Sequence, residues 1–182
     1  MLFQNGLIVN RLIFIFFFIF FTFQVYSQKF IGSSGEISFF SEAPLEDISA
    51  INKNVSAVFD SATNDLVFNV KITDFIFPIP LMQEHFNENY LESDLYPNST
   101  FLGKVVKRSG NQAFVEGYLK IHGRSNKINV EGLMEQDLNT INISGIFTIK
   151  LKDYNIKIPK IVMYKIAEEI DVKIDISLDK IK

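Results

Sequence analysis

The sequence predicts an all-β fold, an antiparallel barrel or sandwich of eight strands with one or two short helical inserts. Three observations carry this. From residue 30 onward apolar and polar residues alternate along most of the chain, the period of a half-buried strand. The alternating runs are joined by short turns rich in Gly, Asn, Ser and Asp, which supply the tight reversals of hairpins. Only two stretches, 78–100 and 159–169, break the alternation. Links this short imply antiparallel neighbours and therefore a meander.

The first 27 residues stand apart. They hold eight of the 19 Phe of this 182-residue chain. Leu12 to Phe23 is apolar except for Thr22, with Arg11 before it and Val25-Tyr26-Ser27 after it. A positive start, an apolar run and small residues at the −3 and −1 sites make a secretory signal, with cleavage expected after Ser27. The run is short for a membrane helix, which needs about 20 apolar residues. An uncleaved N-terminal anchor is the rival reading. Without Cys the chain carries no lipid-anchor site, disulfide, thiolate metal site or Cys nucleophile. Removing 1–27 takes away Arg11 alone among charged residues, so the net charge moves from −3 to −4. That mild acidity argues against nucleic acid as a partner. Residues 28–182 are then one exported domain, periplasmic or secreted, large enough for a real core.

Strands are expected at 30–40, 54–60, 66–73, 100–107, 112–122, 125–135, 141–152 and 170–179. The last is the clearest: Ile170, Val172, Ile174, Ile176 and Leu178 alternate with Asp171, Lys173, Asp175, Ser177 and Asp179. Turns are expected at Thr63-Asn64-Asp65, Arg108 to Asn111, Gly123 to Asn126 and Asp137 to Thr140. In the first insert Met82, Phe86 and Tyr90 recur at i, i+4, i+8 and give a helix one apolar face. In the second, Pro159 suits a first helical position.

Closing eight strands removes the exposed edges that template aggregation, and a barrel of that size has room for one small ligand. Alternation alone does not say which face points in. A membrane barrel would have to crowd Asp171, Lys173 and Asp175 into its lumen and would lack aromatic girdles, so a water-soluble barrel is the better fit, with no membrane-spanning segment after residue 27. The inward set is then Phe39, Phe68, Val70, Ile72, Val105, Leu119, Ile121, Ile143, Phe147 and Ile149, with Met82 and Phe86 facing it from the insert. These residues either fill a core or line a cavity. Gly117 and Gly145, mid-strand on the same face, mark either bends or space for a ligand.

Polar chemistry is sparse. Glu84, His85 and Glu88 form the one constellation of ionisable groups, and His122 is the only other His. A periplasmic enzyme or metal protein would have to use them, but the spacing matches no zinc motif and gives at most a weak acid–base site. The alternative role is to cap and hold the insert against the barrel mouth. No cofactor motif is present.

Several stretches resemble the YceI-like family of lipid- or polyisoprenoid-binding proteins, in the form found in secreted proteins of Bacteroidetes-type bacteria. They are Gly35 to Ile48, Leu81 to Tyr90, Tyr96-Pro97 through Phe101, and Leu119-Lys120-Ile121-His122-Gly123. They occur in the family's order and the resemblance spans 30–181. It implies a lipocalin-like eight-stranded barrel and an elongated apolar cavity for an isoprenoid or other long-chain amphiphile. It brings no catalytic residues, and so favours a cavity lined by the inward set over a filled core. A homodimer is compatible with the sequence.

Overall fold

The computed structural model describes residues 28–42, 47–158 and 167–181. The expected leader and most of the expected helix at 159–169 lie outside these residues. Among the described residues there are nine strands: β1 (Lys29–Ser41), β2 (Ile48–Asn52), β3 (Val55–Asp60), β4 (Asp65–Lys71), β5 (Asn98–Ser109), β6 (Gln112–Ile121), β7 (Arg124–Gln136), β8 (Thr140–Lys150) and β9 (Glu169–Lys180). Each pairs antiparallel with its neighbour, and β1 pairs with β9 to close the wall. The closed antiparallel barrel expected from the sequence is therefore the fold.

Nine strands occupy eight positions in the wall. The first half of β1 pairs with β3 (Phe30 with Phe59) and the second half with β2 (Phe39 with Ala50), so β2 and β3 act as one bent strand. Asn52 makes the bend. Fully buried, it donates its amide to the Lys71 carbonyl at 2.9 Å and accepts from the Asn54 N–H at 2.8 Å. The sequence reading missed β2 because its inward residues after Ile48 are Ala50 and Asn52, neither of which signals a strand.

Local chemistry sets the turns. Asn64, at φ +59°, closes β3 to β4, and Gly110, also at φ +59°, closes β5 to β6. His122 and Gly123, at φ +48° and +74°, form the two-residue link from β6 to β7. That turn starts one residue and ends three residues earlier than the sequence indicated, because β7 already begins at Arg124. A bulge at Ser33 shifts the register of β1 against β9. It switches the inward set from Phe30 to Ile37, Phe39 and Ser41.

Along β4 and β9 charged residues point outward while Leu66, Phe68, Val70, Ile176 and Leu178 point inward, unlike a lipid-facing barrel, whose outer face is an apolar band. Among the described residues no helix is long and apolar enough to cross a membrane. The two ends of the barrel differ. At the end holding Lys29 and the β3–β4 turn, Phe30, Phe59, Met134, Ile141, Ile176 and Leu178 are all but inaccessible and form a solid plug. Toward the other end the inward residues Phe39, Ile128, Ile143, Phe147, Ile149 and Val172 are only half buried. The first insert enters there: a 3-10 turn (Ile72–Asp74), helix α1 (Pro80–His85) and a π-helical turn (Phe86–Tyr90).

Candidate ligand cavity

The half-buried positions enclose a cavity of about 520 Å³, within the usual range for small-molecule sites. All twelve residues singled out from the sequence as inward or insert-facing line it: Phe39, Phe68, Val70, Ile72, Met82, Phe86, Val105, Leu119, Ile121, Ile143, Phe147 and Ile149. Filled core and hollow lining coexist, the plug at one end and the cavity toward the other.

The mouth is built by the insert. Ile79 and Leu81 line the cavity and are also exposed to solvent, which places the opening beside the start of α1. Pro78 and Pro80 bracket Ile79, and Pro80 occupies the first turn of α1, where its missing N–H costs nothing. Beneath α1 lies a cluster of four rings. Phe86 meets Phe77 at 4.9 Å, Phe39 at 5.6 Å and Phe75 at 5.6 Å between centroids. Phe39 and Phe86 were legible in the sequence; Phe75 and Phe77 were not. The signal was there as period-2 alternation in Phe75-Ile76-Phe77, with Ile76 pointing out.

Two glycine pairs shape the interior differently. Gly103 faces Gly117 across β5 and β6, and the Phe101 ring lies over both; a Cβ on Gly117 would sit 2.5 Å from that ring and from Gly103 Cα. That space is already filled. Gly132 faces Gly145 across β7 and β8, and a Cβ on Gly145 would meet nothing nearer than 3.6 Å. This space belongs to the cavity. Beyond the pair the β7–β8 ladder stops, although β7 stays paired with β6 and β8 with β9.

Few polar side chains reach the interior. The buried Ser41 hydroxyl accepts from the Ala167 N–H at 3.1 Å. Tyr90 and His85 lie near the mouth; burial holds the Tyr90 phenol above its ordinary pKa, so it remains a neutral hydrogen-bonding group.

The ionisable groups do not converge. His85 is hydrogen-bonded through Nδ1 to the Asn89 side chain at 2.8 Å. His122 lies elsewhere, its Nε2 2.6 Å from a Glu92 carboxylate oxygen and its Nδ1–H donating to the Tyr154 carbonyl at 3.2 Å. The Tyr96 ring packs on its edge at 4.7 Å. Among the described residues no three His, Asp or Glu side chains come together as a metal site. His122 ties the β6–β7 turn to the end of the insert and to the 3-10 turn after β8 (Leu151–Tyr154). His122→Ala should therefore lower stability by about 1–2 kcal/mol, since it takes the donor from the Tyr154 carbonyl, while the Glu92 carboxylate is open to water. Urea unfolding measures this, and ligand affinity should stay within about threefold of wild type if the role is structural.

The family model for the YceI-like domain matches residues 18–178. The chain belongs to that family. No curated protein matches the sequence. Among solved structures, this YceI-like domain superposes on Burkholderia cenocepacia BcnA with a TM-score of 0.70 at 20% identity, covering 79% of this chain and 95% of that one. It superposes on a polyisoprenoid-binding domain from Saccharophagus degradans, implicated in plant cell wall breakdown, with a TM-score of 0.69 at 12% identity, covering 86% and 99%. It also matches the YceI protein of Campylobacter jejuni with a TM-score of 0.64 at 20% identity, covering 78% and 90%. Identities this low show a shared fold.

Proposed function

We propose that this YceI-like domain is an exported binding protein, not an enzyme, that holds a polyisoprenoid or similar long-chain amphiphile in its barrel. The observation that carries the reading is the cavity: about 520 Å³, walled by Phe, Ile, Val, Leu and Met, with its few polar groups mostly near the mouth. Each buried methylene of a ligand gains about 0.8 kcal/mol, so a chain is held without specific polar contacts. The polyisoprenoid-binding neighbour and the family membership support the same ligand class. The expected leader at 1–27 supports export, and the N-terminus of the processed protein is then Gln28, which intact-mass measurement reads directly.

Protein purified without detergent and extracted into organic solvent should release a long-chain apolar molecule near one equivalent. Delipidated protein should regain stability with a C20–C40 isoprenoid, by about 2.7 kcal/mol at 100 times the Kd. Protein that carries no apolar molecule and is not stabilised by any such chain overturns the reading.

A further inference from the structure

The barrel wall is not sealed along its whole height. β7 and β8 pair from Gln136 and Ile141 to Gly132 and Gly145 and then part, while β7 stays paired with β6 as far as Arg124 and β8 with β9 as far as Lys150. In line with the paired part, Asp137 donates to the Thr140 carbonyl at 2.9 Å, which puts odd residues of β7 and even residues of β8 on the rungs. Continued in register, the next rungs would use Asn129 and Lys127 opposite Thr148 and Lys150. Among the described residues no strand pairs with either edge there. What remains is a slit about five residues long, roughly 15 Å. Its foot is the Gly132–Gly145 rung. Its top is closed by the Asn126 amide, which donates to the Asp153 carbonyl at 2.7 Å.

The slit opens on the cavity. Ile128 and Val130 on one edge and Phe147 and Ile149 on the other line the cavity and are only half buried. At the foot, Gly132 and Gly145 put no side chain between the cavity and the wall. Leu133 and Ile146 sit beside them on the outer face, 46% and 64% exposed. An apolar track therefore leads from the outer surface over the glycines to the interior. Polar side chains of the rim are drawn away from it. Lys127 pairs with Glu116 on β6 at 2.9 Å and Lys150 with Glu169 on β9 at 2.9 Å, and the Thr148 hydroxyl donates to Asp171 on β9 at 2.6 Å.

We propose that this slit is the port through which the long-chain ligand enters and leaves, sideways through the wall. The inference rests on the cavity being a lipid site. Parting a paired seam of the wall costs about 1 kcal/mol for each backbone hydrogen bond broken, and parting these two edges breaks none. The opening beside α1 leads past the packed rings of Phe39, Phe77 and Phe86, so a chain entering there has to thread end-first. The slit admits it along its length.

The chain has no Cys, so a pair placed across the slit is the only thiol pair. Asn129→Cys with Thr148→Cys puts one thiol on each edge, on the outer face and off the cavity lining. Bridging them with a short bis-maleimide should slow both association and release of a fluorescent long-chain alcohol by at least about tenfold, with Kd within about threefold, relative to the same variant capped with N-ethylmaleimide. Lys127→Cys with Lys150→Cys, one rung higher, should behave alike, and replaces the first pair if that one does not fold. Stopped-flow rates within about twofold of the capped protein overturn the port. So does a bridge that weakens equilibrium binding without slowing release. Wild-type protein that binds no long-chain probe overturns the cavity reading itself, and the port with it.

Discussion

Gly145→Phe is expected to weaken ligand binding on the order of 100-fold while leaving the barrel folded. Gly145 points inward from β8, and its neighbours leave a new Cβ in ordinary contact, 3.6 Å from Gly132 Cα and 3.7 Å from the Glu131 carbonyl. Its backbone is not in the left-handed region, so a side chain adds no strain. The benzyl group has only the cavity to enter. Excluding about four methylenes of a bound chain costs about 3 kcal/mol, a loss on the order of 100-fold in affinity. Stability should hold or rise, because the ring covers apolar wall that is otherwise wet in the empty protein. Titration of delipidated protein with a fluorescent long-chain probe reads the affinity; binding at wild-type strength would place the ligand elsewhere. Gly117→Phe is the contrast. There the Cβ runs into Gly103 Cα at 2.5 Å and the Phe101 ring at 2.5 Å, so the expected result is a misfolded barrel.

Gly35→Val is expected to be the most damaging single change in the wall. Gly35 pairs with Ile176 on the seam where β1 meets β9 and the barrel closes. Its φ of +141° is one that residues with a Cβ rarely adopt. A Cβ would stand 2.5 Å from the Asp175 carbonyl oxygen and 2.6 Å from Ile176 Cα, both backbone and unable to yield. Closure contributes the pairing of both strands at once and hides two edges, so its loss should cost more than about 4 kcal/mol and promote edge-to-edge aggregation. Urea denaturation and hydrogen exchange along β1 and β9 report it. Gly110→Ala separates strain from clash: its φ is also positive, but nothing lies within 4 Å of the new methyl, and about 1 kcal/mol is expected.

Much of this architecture is local and was readable residue by residue. Strand positions follow from alternation, which each segment carries by itself, and the clearest run at 170–179 became β9 with Ile176 and Leu178 buried. Where the local signal is weak the reading failed. Ala50 and Asn52 hid β2, and the Ser33 bulge changed which residues of β1 point inward without any sign in the pattern. Glu84, His85 and Glu88 looked like a constellation along the chain, with His122 the only other His, but His122 sits at a turn that folds against Glu92 and Tyr154, away from His85.

By itself the sequence determined the all-β antiparallel class and the twelve side chains that came to line one space: nine lie on strands, where side-chain direction follows parity, Ile72 continues the alternation just past β4, and Met82 and Phe86 follow the helical spacing of the insert. Only the tertiary structure decided that this space is solid at one end and hollow toward the other. Whether a level of the barrel is filled depends on the summed volume of side chains from all eight wall positions, and closure brings those together from distant parts of the chain. The same holds for the slit. Residues 127–131 and 146–150 alternate like the rest of the wall, and only strand register shows that they face each other without pairing.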